Sequence, residues 1–351
     1  MVDYLIIGSG LAGVCFAEIA FQNNKSFLVV DDFKRSSSRV AGGLYNPVIL
    51  KRFSQVWKAT EQLEYGKLFY ATIENKLGVK FDFRLPIYRK FASIEEQNNW
   101  FEASDKPNLA PFLAPKVISK KFSGVSSNYG FGEVLQTGYL DTVVFLDSYN
   151  RHLKEDGFLL QTTFNNDELT LTDNGVLYKG VSYRNVIFSE GFGMISNTFF
   201  NELPLDGTKG ELLVIKAPSL DLDVVLKSSV FILPIGEALF KVGSTYNWDD
   251  KSDVPTQEGR EELLSNLKEI IDCDFEVVEH YAGVRPTVND RRPLVGTHPQ
   301  HKNLHLLNGL GTRGVMLGPW LAKALFEHIE SGTELDPQID IKRFYKKRGA
   351  K

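Results

Sequence analysis

Residues 3–32, DYLIIGSGLAGVCFAEIAFQNNKSFLVVDD, constrain the fold more than any other stretch of the chain. An apolar run at 4–7 leads into Gly8, Gly10 and Gly13, an apolar-periodic segment follows, and a second apolar run at 27–30 ends in two acids. That order predicts strand, tight turn, helix and strand, the opening unit of a Rossmann-like α/β domain. In such a unit Gly8 permits the turn, Gly10 lets backbone approach a pyrophosphate, and Gly13 lets the helix sit close on the strands. The unpaired amides of the helix start, at Leu11 and Ala12, are placed to hold phosphate oxygens. Asp31 follows Gly13 by 18 residues, where a carboxylate accepts hydrogen bonds from a ribose hydroxyl. The alternation Phe27, Val29, Asp31 favours it over Asp32. With both strands and the acid in place, the segment predicts an ADP-containing dinucleotide.

Bulk properties mostly exclude. A hydrophobic content of 43% over 351 residues is that of a globular protein with material for one large core or two lobes. A formal net charge of −4 gives no global electrostatic reason to seek nucleic acid or an anionic membrane. The chain end is the exception, with Lys342, Arg343, Lys346, Lys347, Arg348 and Lys351 after the last acid; read alone, it is a solvated, partly frayed terminus. Two cysteines, Cys15 and Cys273, are too few for a disulfide framework or a thiolate metal site, so a reducing, cytoplasmic setting is expected. The amino terminus runs straight into the first apolar segment without the marks of a targeting peptide. No apolar run approaches the roughly 20 residues that a membrane helix needs, so no membrane partner is expected.

Residues 36–53, SSSRVAGGLYNPVILKRF, decide between nicotinamide and flavin. Gly42 and Gly43 lead directly into Leu44 and an extended apolar segment, which predicts backbone laid against a flat ligand. Together with the amino-terminal motif, this segment resembles the FAD-binding front of the D-amino-acid oxidase and glycine oxidase superfamily. The resemblance implies an α/β fold: a Rossmann-like FAD-binding domain with an inserted α+β substrate domain built on an antiparallel sheet. Non-covalent FAD is expected, because neither cysteine lies in the carboxy-terminal motif and no histidine lies in residues 36–53. The expected segments are 1–51, 138–197 and 280–351 for the FAD domain, and 52–137 and 198–279 for the substrate domain.

Within the first substrate segment, residues 54–78 read as a long helix, 81–91 as strand, and the remainder as Pro- and Lys-rich connections. Residues 139–157 are helical in period, short alternating strands follow, and an apolar run ends at Gly191 and Gly193. The resemblance places a small-residue turn near the dinucleotide there, with Gly191 against the cofactor; this chain carries Ser189 and Glu190 in place of small residues. The second substrate segment reads as antiparallel strands plus a covering helix at 256–271. Tyr246 and Trp248, just past its VGST turn, are candidates for the cavity wall, and Tyr246 for the catalytic set.

Residues 308–319, NGLGTRGVMLGP, join a buried strand to an amphipathic helix that Gly332 stops. Gly309, Gly311, Thr312, Arg313, Gly314 and Val315 form the turn, which aims unpaired amides and a helix dipole at whatever lies above it. A reduced flavin is electron-rich along one edge, which makes the turn a cofactor site and Arg313 part of the catalytic set. By the resemblance, Arg285 in AGVRP grips a substrate carboxylate. DRRPLVG, residues 290–296, matches the family's turn beside the flavin. His298, His301 and His305 are not arranged as a zinc trio.

GGLYNP, GLGTRGVMLGP and the basic ending also resemble the FAD-dependent half of a bifunctional bacterial enzyme that matures wobble uridine in tRNA. Three readings follow. One is an oxidase acting by hydride transfer on the carbon between amine and carboxylate of a small substrate, with O2 as electron acceptor. The second is removal of a carboxymethyl group from a tRNA uridine, and the third a non-catalytic flavoprotein.

Overall fold

The computed structural model describes residues 1–34 and 37–345; Ser36 and the tail residues Lys346, Lys347, Arg348 and Lys351 lie outside the described residues. The strand Val2–Ile7 sits in the middle of a largely parallel sheet, paired with Phe27–Asp31 on one side and Val181–Phe188 on the other. Leu159–Gln161 extends that sheet past Phe27–Asp31, and Leu304–Asn308 pairs with Val181–Phe188. Tyr4, Leu5 and Ile6 are fully buried, as a parallel strand covered on both faces requires. Helices Leu11–Gln22 and Gly314–Ser331 pack together over one face, so that their amino termini open on the same side as the strand ends.

The second sheet has eight strands in the order Glu276–Arg285, Thr208–Lys216, Leu239–Gly243, Phe231–Gly236, Val225–Lys227, Ile87–Lys90, Phe131–Val134 and Leu113–Ile118. Its ladders are antiparallel except between Val225–Lys227 and Ile87–Lys90. Helix Gln257–Lys268 covers it, burying Leu263 and Leu267 against Leu213, Ile215 and Val242. The parallel sheet draws on residues 2–31, 159–188 and 304–308, and this one on 87–134 and 208–285. The antiparallel unit is therefore inserted into the α/β domain, as the resemblance implies.

Some local readings change. The long helix is Ala59–Leu77, because Ser54–Gln55 is drawn into a short ladder with Val48–Ile49. The stretch read as connections holds helix Ile94–Ser104, whose start is capped by Ser93 accepting from the Glu96 amide at 3.2 Å, and two strands of the large sheet. Strand Glu276–Arg285 runs through residue 280, because its ladder with Thr208–Lys216 continues to the pair Thr208 and Arg285. Arg343 is not frayed: its guanidinium bonds Asp290 at 2.9 Å and the carbonyl of Pro293 at 3.0 Å.

Close seating of helix Leu11–Gln22 depends on Gly13, where a Cβ would overlap the backbone oxygen of Gly8. Gly13→Ala is expected to cost about 1–3 kcal/mol, as overpacking does. Urea unfolding measures it, and an unchanged midpoint would contradict the seating described.

Candidate functional site

A cavity of about 1080 Å³ lies where the two sheets meet, at the upper end of the range for ligand pockets. One end is walled by the carboxy-terminal ends of the parallel strands, at Gly8, Asp31, Ser189 and Asn308. The other is walled by the antiparallel sheet, including Leu212, Lys227, Phe231 and Arg285.

At the first end Gly8, Gly10, Leu11 and Ala12 line the cavity, and helix Leu11–Gln22 begins at Gly10 with no side-chain cap. Its first amides point at the cavity without intrahelical partners, apart from the Leu11 amide, which donates to Ser38 Oγ at 3.2 Å. Asp31 ties the turn together by accepting from the Ser9 amide at 2.5 Å, the Ser9 hydroxyl at 2.8 Å and the Phe33 amide at 2.7 Å. Asp32 also lines the cavity but is turned to the Lys34 amide and the Thr163 hydroxyl. Gly191 is on the wall. Gly13 and Gly309 are not: the first lies under the helix, and a Cβ on the second would come 2.7 Å from Val288 Cγ2.

Toward the second end run Gly42, Gly43 and Leu44 on one wall, with the Phe231 ring packed on Gly42. Gly311, Thr312, Arg313, Gly314 and Val315 form another, and helix Gly314–Ser331 likewise starts without a side-chain cap. The Gly311 amide donates to the Pro286 carbonyl at 3.1 Å, which locks this turn to the residue after Arg285.

Arg285 stands at the end of its strand, its guanidinium donating to Ser244 Oγ at 2.7 Å and to the Thr245 carbonyl at 3.3 Å. Among the described residues it has no carboxylate partner, and burial pulls it below the ordinary arginine value without discharging it. Gly210 makes room, since any Cβ there would overlap the guanidinium. Tyr246 is outside the cavity wall and 43% exposed, with the Arg285 guanidinium 5.1 Å from its ring centre; Trp248, also off the wall, packs on Tyr246 at 5.7 Å. The sequence expectation that they line the cavity is thus corrected: the strand end turns them to the rim. Arg313 is lowered by burial and by the neighbouring charges of Arg292 and Arg291.

Sequence reasoning missed Ser9, Ser38, Gly210, Lys227, Phe231 and Ser244, all on the cavity wall. Ser9 and Ser38 stand inside the glycine motif and the serine run, where any small residue would read alike; the antiparallel sheet brings the last four there. His298 and His301 stack on each other at 4.7 Å, while His305 is buried between Thr297 and Asn185.

A protein-family model described as FAD dependent oxidoreductase matches residues 3–328. Glycine oxidase of Pseudomonas putida is 30% identical over 161 residues, 44% of this chain and 43% of that protein. MnmC of Marinobacter nauticus, the tRNA 5-methylaminomethyl-2-thiouridine biosynthesis bifunctional protein, is 26% identical over 162 residues, 41% of this chain and 26% of that protein. The chain thus spans less than half the length of these curated relatives. The crystal structure of glycine oxidase from Geobacillus kaustophilus shares the fold, with a TM-score of 0.79 at 15% identity over 96% of this chain and 98% of that one.

Asp31→Ala removes the acceptor that braces the glycine turn and should weaken dinucleotide binding about tenfold or more, the scale of a hydrogen bond to a charged group. Equilibrium titration of the apoprotein checks this; unaltered affinity would leave Asp31 without a role in the turn.

Proposed function

The chain belongs to the family of FAD dependent oxidoreductases, with FAD as a non-covalent cofactor, and on that premise we propose that it oxidises a small carboxylated amine at the carbon between nitrogen and carboxylate. Glycine, an N-substituted glycine and a D-amino acid share that carbon. Arg285 carries the reading: a half-buried cation on the cavity wall, with no acid beside it among the described residues, calls for an anion from outside. The glycine turn, the uncapped helix starts and the cavity volume suit FAD in the same space.

When bound, the flavin accepts a hydride equivalent from the substrate carbon. Arg285 grips the carboxylate with its planar fork, while Ser244 and the Thr245 carbonyl hold that plane still. Fixing the carboxylate fixes the carbon next to it, which is most of what the reaction needs from the protein. Arg313 and the start of helix Gly314–Ser331 supply positive potential for the electron-rich reduced state. The neutral amine provides the electron push, so no acid or base side chain is assigned. The resulting imine would be hydrolysed by water, with O2 as the proposed electron acceptor and hydrogen peroxide as its product.

Anaerobic bleaching of the flavin by a panel of amines tests the reading. Arg285→Ala should raise KM for the reactive amine about ten- to a hundredfold while FAD stays bound, the loss expected of a charge-assisted pair. Unchanged kinetics would remove Arg285 from its role.

A second reading, the carboxymethyl group of a tRNA uridine as substrate, is favoured by a cluster of cations and indoles. Arg292 lies 5.7 Å from the Trp57 ring, Trp57 packs on Trp320 at 5.3 Å, and Lys58 lies 5.3 Å from Trp320. Cations interleaved with aromatic faces suit phosphates and unstacked bases. On this reading Trp57→Ala and Arg292→Ala each lower kcat/KM on undermodified tRNA about tenfold and leave free amines untouched. A flavin that stays oxidised with every amine and with that tRNA would leave only the non-catalytic reading.

A further inference from the structure

We propose that Glu190 is a cofactor-contacting residue that keeps its proton and donates a hydrogen bond from its free carboxyl oxygen to the pyrophosphate and sugar section of FAD. The proposal concerns cofactor capture and does not depend on which amine Arg285 receives.

Glu190 directly follows the parallel strand next to Val2–Ile7, and its α-carbon lies 3.5 Å from where a Cβ on Gly8 would stand. It is therefore set beside the glycine turn, on the other side of the central strand from Asp31. Its side chain is half-buried, and it lines the cavity. One oxygen is held: Asn197 Nδ2 donates to Oε2 at 2.6 Å. The Asn197 amide cannot turn around, because its own oxygen accepts from the Phe199 and Phe200 amides at 2.8 and 3.1 Å. That leaves Oε1 without a hydrogen-bond partner among the described residues, on a residue that lines the cavity.

No cation among these neighbours compensates a negative charge. The neighbouring elements present Gly8 and Ser189 from the strand ends, Gly193 and Asn197 from the turn that follows, and Asn308, whose Nδ2 donates to the Gly191 carbonyl; none of these titrates. Among the described residues Glu190 makes no ion pair, and burial pushes its carboxyl up to about 7. An anionic pyrophosphate beside it raises the cost of ionisation further, while a protonated carboxyl supplies the donor that phosphate and hydroxyl oxygens accept. Bound FAD therefore selects the protonated form.

The sign follows from linkage. Where free Glu190 is already protonated, affinity does not depend on pH; above about pH 7 binding takes up a proton, and Kd rises toward tenfold per pH unit. Other titrating groups share the wall: Asp31, Asp32 and Lys34 near the end of the neighbouring strand, and Lys227 across the cavity, which burial pulls down to about 8. Loss of the Lys227 charge would also weaken an anion at high pH, so the test separates the two.

The experiment is the FAD Kd of the apoprotein, read by quenching of flavin fluorescence from about pH 6 to about pH 9. Wild type is expected to be flat at first and then to weaken, whereas Glu190→Gln, which keeps a donor and cannot ionise, is flat throughout. Asn197→Ala removes the donor to the anion and moves the onset of weakening to higher pH, a shift that a merely structural loss would not produce. A flat wild-type profile overturns the proposal. So does a slope that survives in Glu190→Gln and vanishes in Lys227→Met.

Discussion

A half-buried guanidinium with no acid beside it among the described residues is the constraint on which the site turns. Removing an unpaired charge from water costs several kcal/mol unless dipoles or a ligand replace the lost solvation. Around Arg285 the replacement is partial: the carbonyls of Thr245 and Lys209 and the hydroxyl of Ser244. The adjacent strand is immobilised by its own charges, since buried Lys209 bonds Asp250 at 2.5 Å and Glu211 accepts from the Thr256 amide at 3.0 Å. These neighbours satisfy one another, which leaves Arg285 facing the cavity.

The two sheets contribute different chemistry to that cavity. The parallel sheet delivers backbone, because its strand ends and uncapped helix starts converge where amides have no internal partners. The antiparallel sheet delivers side chains, among them Leu212, Lys227, Phe231 and Arg285. Gly311, bonded to the Pro286 carbonyl, links the two, so the late glycine turn cannot shift independently of the strand end that carries Arg285. Such a link serves positioning, where an error of about 1 Å can cost two orders of magnitude in rate.

Legibility followed locality. The glycine turn was readable because Gly8, Gly10 and Gly13 act within one strand, turn and helix, and their spacing is itself the signal. The late turn was readable for the same reason, although Gly309 proved to be a packing residue behind it. Helix Ile94–Ser104 was passed over despite a readable Ser93 and Glu96 capping pair, because the surrounding prolines and lysines suggested loop. Gly210 carried no sign of its role, since the guanidinium it admits is 75 residues away in sequence, as is clear from its overlap with Arg285.

The sequence by itself determined the class of fold and the dinucleotide turn, because hydrophobic period and glycine spacing act over a few residues. It determined the presence of Arg285 and Arg313 as well, but not what surrounds them. Only the tertiary structure decided that Tyr246 sits on the rim, that Lys227 and Phe231 join the wall, and that Glu190 opens on the cavity. The physical reason is that burial and electrostatic environment are set by strands paired across long separations, and no local pattern of residues encodes which charge will be left without a partner.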